Sequence, residues 1–216
     1  MTDFIPYGRQ NISQEDINAV LAVLRSNFLT QGPVIKSFEQ SISKNVGARY
    51  AVAVNSATSA LHIACKALEL SYGDQLWTSP NTFVASANCA RYCGADVDFV
   101  DIDPFTWNMS VQKLEAKLNK HQTEGRPQPK IVVPVHFSGQ PTEQERIWEL
   151  AQEFKFKVLE DASHSIGGSR NGELVGSCRW SDITVFSFHP VKIITSGEGG
   201  MALTNDSKLA WKMSNL

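Results

Sequence analysis

The chain has 216 residues, 20 Lys+Arg against 22 Asp+Glu for a net charge of −2, 42% hydrophobic and 19% charged residues. At roughly 150 residues per domain this is about 1.4 domains, and a chain of this size buries about 70% of its unfolded surface. Such usage excludes disordered, collagen-like and coiled-coil chains, and balanced charge without a basic stripe argues against nucleic acid as the main partner.

The predicted elements alternate along the chain. Ser13, Gln14, Glu15 and Asp16 form a capping box, in which Ser13 accepts from the N3 amide and Asp16 reaches back. Behind it Ile17, Val20, Leu21 and Leu24 fall at i, i+3, i+4 and i+7, one apolar stripe. Tyr50–Val54 reads as a buried strand, followed by a helix with Leu61, Ala64, Cys65 and Leu68 on one side. Val97–Ile102 reads as a strand, and Val111, Leu114 and Leu118 mark a short helix. His121–Pro129 reads as an exposed connection. Lys130–His136 reads as a strand that ends or becomes irregular at Pro134. Thr142 to Glu145 reads as a second capping box, opening a helix with Ile147, Leu150, Ala151 and Phe154 inward. Phe156–Leu159, Ile183–Phe188 and Met201–Thr204 read as strands. Asn205-Asp206 then caps a last helix with Leu209, Met213 and Leu216 apolar. Strand and helix in alternation predict an α/β fold, a mostly parallel sheet with helices on both faces. The last helix has little to pack against, so the natural protein is expected to continue beyond Leu216.

No apolar run approaches the length that spans a membrane, and the start, Met1 to Tyr7, lacks a signal peptide's basic and apolar regions. No membrane partner is expected. Cys65, Cys89, Cys93 and Cys178 form no zinc spacing and read as reduced thiols of a cytoplasmic protein.

In such sheets ligands bind where strands end at their carboxyl side, and three of those ends carry chemistry. Asn55 to Ser59 lies between a strand and a helix, where unpaired amides and hydroxyls suit a phosphate, or where Ser and Thr merely cap the helix. Glu160-Asp161-Ala162-Ser163-His164 follows the strand ending at Leu159. Asp161 can face a protonated ring nitrogen, a metal or an Arg, or cap a helix; His164 can be a ligand, a hydrogen bonder, a base or a core histidine. His136 is the other candidate ligand nearby, and no metal is expected. Phe186 to Gly200 holds one lysine, Lys192, among apolar neighbours, with Gly197, Gly199 and Gly200 allowing close backbone approach. An apolar setting lowers a lysine's pKa and frees the amine to attack a carbonyl; the alternative is a solvated loop lysine. Together, a phosphate cradle, a carboxylate for a pyridinium nitrogen and a reactive amine are what pyridoxal phosphate needs. Phe83 is either a ring-stacking aromatic or an ordinary core residue.

Leu29-Thr-Gln-Gly32, Asn55-Ser-Ala-Thr-Ser59, Asp161-Ala-Ser-His164, and Ser187-Phe-His-Pro-Val-Lys192 with Glu198-Gly-Gly200 make the chain resemble the DegT/DnrJ/EryC1/StrS sugar aminotransferases, pyridoxal-phosphate enzymes of fold type I. Pro80 to Ser86, Val135 to Gln140 and Phe188 to Lys192 are most similar to members that aminate the C4 keto group of a UDP-linked deoxy sugar in pseudaminic acid biosynthesis. The resemblance implies Lys192 as the cofactor-carrying lysine and Asp161 as the partner of the pyridine nitrogen. It implies His164 beside the ring hydroxyl, Ser56, Ala57, Thr58 and Ser187 around the phosphate, and Phe83 on the ring. Tyr7, Asn27, Phe28, Leu29, Thr30 and Ser56 align with sugar-nucleotide contacts. It further implies L-glutamate as amino donor, a UDP-4-keto sugar as acceptor, a ping-pong cycle and a homodimer. Residues 1–216 would be an N-terminal segment plus the cofactor-binding large domain, truncated before a small C-terminal domain. The competing expectations are another nucleotide-sugar aminotransferase, an inactive cofactor-fold binding or regulatory fragment, and a metal hydrolase using Asp161, His164 and His136.

Overall fold

The computed structural model describes Ile5, Pro6 and residues 8–216. The first helix, α1 (Gln14–Leu24), starts on the expected capping box: Ser13 Oγ accepts from the Asp16 amide at 3.2 Å, and Asp16 Oδ2 accepts from the Ser13 amide at 2.8 Å. Its apolar stripe is not buried. Ile17, Val20, Leu21 and Leu24 are 38–60% exposed, because α1 lies outside the layers that cover the sheet.

The next helix, α2 (Pro33–Val46), was not among the elements expected from periodicity. It begins with Pro33 in the first turn and ends at Gly47, whose φ of 81° takes the left-handed conformation that stops helices. Phe38, Ile42 and Val46 turn it onto the sheet.

The remaining elements are β1 (Tyr50–Val54), α3 (Ala57–Ala67), β2 (Gln75–Thr78), α4 (Ala85–Tyr92), β3 (Asp96–Phe99), α5 (Val111–Thr123), β4 (Ile131–Val133), α6 (Gln144–Phe154) and β5 (Lys157–Asp161). A small hairpin of β6 (Ser169–Arg170) and β7 (Glu173–Leu174) follows, then β8 (Ile183–Ser187), β9 (Gly200–Thr204) and α7 (Ser207–Ser214). β2, α4 and the hairpin are further additions to the elements read from sequence. β4 stops before Pro134, as expected.

The central sheet has seven strands in the order β1-β9-β8-β5-β4-β2-β3. All its pairings are parallel except those of β9 with β1 and β8. The parallel pairs β2/β3, β2/β4 and β4/β5 are joined through helices, whereas β5 reaches its parallel neighbour β8 through the segment that carries the small hairpin. β8 returns directly into β9 through a loop, so this pair is antiparallel, with Ser187 opposite Gly200 at its mouth.

Helices cover both faces, and strand alternation sorts the core accordingly. Ile131, Val133, Leu159, Ile183 and Val185 pack with α3, α4 and α7, including Leu61, Ala64, Cys89 and Met213. Val132 and Val158 point the other way, onto Leu114 and Leu118 of α5 and Ile147 and Leu150 of α6. Phe186, Phe188, Met201 and Leu203 meet α2.

Two local expectations change. Thr142 does not cap α6; its amide donates to His136 Nδ1 at 2.9 Å, and Glu143 takes the cap position without a side-chain bond. The last helix does find a partner. Asp206 caps α7, Met213 is buried against α3, and Lys212 donates to the Ala67 carbonyl at 3.3 Å; Leu216 stays exposed. The four cysteines are free thiols. No described helix is long and apolar enough to cross a membrane.

Candidate active site

The carboxyl ends of β1, β5 and β8 open into one cavity of about 520 Å³. Ser56, Ala57, Thr58, Phe83, Asp161, His164, Ser187 and Lys192 all line it, so the three strand ends singled out from sequence do converge. Asn81, Thr82, Phe137, Ser138, His189 and Glu198 line it as well; they lie in the motifs that carry the family resemblance but have no individual role assigned from sequence.

At the end of β1 the chain turns into α3. Ser56 caps that helix, its Oγ accepting from the Ser59 amide at 3.2 Å. The amides of Ala57 and Thr58 belong to the first turn and have no intrahelical acceptor, so the helix presents two donors and a partial positive charge to the cavity. Capping and anion binding are therefore compatible here. Gly200 makes the close approach possible: a Cβ there would run into the backbone of Ser56 and Ala57. Gly200→Ala is expected to cost about 3 kcal/mol of stability, the upper end of overpacking because backbone cannot yield as a side chain does, and to displace the start of α3. Thermal unfolding together with phosphate or cofactor titration checks this.

At the end of β5, Asp161 is 5% exposed. Its Oδ1 accepts from the Ser163 amide at 3.2 Å and from Ser163 Oγ at 2.6 Å, and its Oδ2 accepts from Ser86 Oγ at 2.6 Å. Ser86 lies on α4, an element that sequence periodicity did not mark, and so escaped notice. Its signal is its spacing of one helical turn from Thr82, in the loop that follows β2.

The neighbouring Glu160 points to the opposite face. Gln144 donates to it at 2.5 Å and Thr184 at 2.7 Å, while burial pushes its pKa up. His136 is equally buried, and desolvation pushes it down to about 3, so it stays neutral. Its Nδ1 is occupied by the Thr142 amide, and it sits 3.9 Å from Glu160. Among the described residues no three His, Cys, Asp or Glu side chains are grouped to hold a metal.

In the β8–β9 loop, Lys192 Nζ lies 2.6 Å from His164 Nε2. Desolvation pushes Lys192 below the ordinary lysine range, with the charge of Asp161 pulling the other way. His164 is also lowered, first by desolvation and then by the charge of Lys192, against Asp161. Of the expected apolar neighbours Val191 lines the cavity beside Lys192, whereas Ile193 and Ile194 are 65% and 47% exposed and do not. The cavity itself takes water from the amine.

Phe83 lines the cavity with 72% of its surface exposed, so it is no core aromatic. Asn27, Phe28, Leu29 and Thr30 are exposed in the α1–α2 connection and do not line the cavity. Tyr7 lies outside the described residues.

Comparison with known proteins agrees with this arrangement. The chain is 41% identical over 210 residues to the spore coat polysaccharide biosynthesis protein SpsC of Bacillus subtilis, covering 97% of the chain and 52% of that protein. It is 40% identical over 212 residues to the UDP-4-amino-4,6-dideoxy-N-acetyl-β-L-altrosamine transaminase of Campylobacter jejuni, covering 98% of the chain and 54% of that protein. Helicobacter pylori PseC, an aminotransferase involved in the biosynthesis of pseudoaminic acid, superposes with a TM-score of 0.88 at 34% identity, over 96% of this chain and 54% of that one. NtdA of Bacillus subtilis, solved with bound PMP, superposes with a TM-score of 0.81 at 30% identity, over 94% of this chain and 45% of that one. The chain thus spans about half the length of these relatives. The profile of the DegT/DnrJ/EryC1/StrS aminotransferase family matches residues 10–216, and the chain belongs to that family.

Proposed function

We propose that residues 1–216 are the N-terminal segment and large domain of a pyridoxal-phosphate-dependent aminotransferase. Its reaction would move an amino group from L-glutamate to the C4 keto group of a UDP-linked deoxy sugar, forming UDP-4-amino-4,6-dideoxy-N-acetyl-β-L-altrosamine. The observation that carries this reading is the meeting of the Lys192 amine and the Asp161 carboxylate in one cavity with the start of α3.

The residues present fit the cofactor. A buried carboxylate with one acceptor site to spare, a desolvated amine and two unpaired helix-start amides match its ring nitrogen, aldehyde and phosphate. Pyridoxal phosphate supplies an aldehyde carbon and an electron-accepting ring. In this reading Lys192 would hold the aldehyde end of the cofactor through its amine and, as the free amine, would carry a proton from or to the substrate carbon. Asp161 holds a proton at the ring nitrogen. Ser56, Ala57, Thr58 and Ser187 hold the phosphate, Phe83 covers the ring face, and His164 meets the ring hydroxyl. Tyr7, Asn27, Phe28, Leu29, Thr30 and Ser56 are assigned to the sugar nucleotide, in a cytoplasmic homodimer.

The C. jejuni and H. pylori relatives support the altrosamine product. SpsC, equally similar, is named for spore coat polysaccharide biosynthesis, and a different nucleotide sugar is the second reading. Incubating the protein with L-glutamate, cofactor and UDP-2-acetamido-2,6-dideoxy-4-keto-sugar is expected to give the 4-amino sugar, detected by mass spectrometry. Turnover of a dTDP-4-keto sugar instead would select the second reading. Amination of neither, in the full-length protein, would leave a binding role.

A further inference from the structure

Asp161 has four lone-pair sites, and three of them are spoken for. Oδ1 is filled from within its own turn, by the amide and hydroxyl of Ser163. Oδ2 receives one hydrogen bond, from Ser86, and keeps one site open. The hydroxyl of Ser86 is fully buried and has three neighbours: Asp161 Oδ2 at 2.6 Å, Thr82 Oγ1 at 2.7 Å and the Phe83 carbonyl at 3.2 Å. It owns one hydrogen. The shortest and charge-assisted contact takes it, so the Thr82 hydroxyl must be the donor in the Thr82–Ser86 bond. The result is a directed chain, Thr82 to Ser86 to Asp161, in which each bond polarises the next. Thr82 stands on the cavity wall, and Ser86 lies behind it on α4.

We infer that Thr82 and Ser86 are positioning residues: their hydroxyl relay aims Oδ2 of Asp161 into the cavity as the atom that takes the cofactor's ring N–H. This deepens the aminotransferase reading and rests on it. Neither residue touches the reacting atoms; both act through Asp161. The other charged or titratable groups around that carboxylate are Lys192 and His164, with His189, Glu198 and the neutral His136 on the cavity wall and Glu160 on the opposite face of the sheet. None of them donates a hydrogen bond to Oδ2; Ser86 alone does so among the described residues.

The test uses pyridoxal phosphate added to the cofactor-free chain, read by its dissociation constant and by the pH midpoint of its visible absorbance band. Ser86→Ala is expected to weaken cofactor binding about tenfold and to move the band midpoint, the size of one charge-assisted hydrogen bond. Thr82→Val is expected to weaken binding about threefold in the natural chain and to do nothing further in the Ser86→Ala background, since its effect passes through Ser86. Ser86→Thr restores both readouts. A purely structural serine would lower the melting temperature and leave the band midpoint where it was. An unchanged band in Ser86→Ala, or effects of the two substitutions that multiply, would overturn the relay. Should Ser86→Ala not fold, Thr82→Val carries the test alone: a moved band supports the relay and an unmoved one overturns it. Failure of the aminotransferase reading looks different: the natural chain itself would then give no visible band, or would give the band without aminating a keto sugar.

Discussion

Lys192→Ala is expected to abolish the visible absorbance band that pyridoxal phosphate acquires on binding, and to cut turnover at least about 10⁴-fold, while changing stability by no more than about 0.5 kcal/mol. The two halves of the expectation have separate causes. Lys192 is half-buried in a loop, and among the described residues its amine contacts only His164 at hydrogen-bond distance, so the fold loses little. The chemistry loses the one lysine amine that lines the cavity among the described residues. Because desolvation lowers this lysine, its neutral form is present at lower pH than that of an exposed lysine, and attachment should begin correspondingly lower. Spectral titration across pH, with thermal unfolding of both proteins, checks all three points. A band that survives in Lys192→Ala would place the attachment elsewhere and end the proposed role.

How much of this was legible from sequence depends on where each residue's signal is carried. Asp161 and Lys192 could be read because a charged residue at the end of an apolar strand, or within an apolar run, has few reasons to be there. The cause assigned to Lys192 holds only in part: Val191 belongs to the cavity wall, but Ile193 and Ile194 face solvent, and most of the wall that desolvates the amine is built from distant segments. Ser86 could not be read, because its meaning comes from a partner 75 residues away. Nor could the reversal of β9, since nothing in a strand's own residues encodes its direction. α2 was legible and missed: Pro33 at its start, Gly47 at its end and Phe38, Ile42 and Val46 between them are ordinary helix signals. The α1 stripe shows the opposite failing. Periodicity correctly marks a helix with one apolar side but does not say whether that side is covered.

Asp161→Asn is expected to reduce the half-reaction with L-glutamate about 10³-fold at a stability cost below about 1 kcal/mol, whereas Asp161→Ala is expected to cost about 2–4 kcal/mol. The carboxylate accepts three hydrogen bonds in a site that is 5% exposed, so alanine takes this acceptor from the buried Ser86 hydroxyl and from the half-buried amide and hydroxyl of Ser163. Asparagine restores most of them. Its carbonyl can keep the two bonds from Ser163, and its amide then faces Ser86. That serine's hydroxyl is free to turn, accept from the amide and donate to the Phe83 carbonyl 3.2 Å away. The shape survives, but the charge does not. A neutral amide cannot hold a proton at a ring nitrogen, and the loss falls on the step that needs the ring to draw electrons. The same substitution removes the charge that raises Lys192, so its amine should become free at still lower pH. Single-turnover spectroscopy with L-glutamate, thermal unfolding and the pH dependence of cofactor attachment separate these effects. An asparagine variant that turns over normally would show that the carboxylate braces the β5 end and plays no electrostatic part.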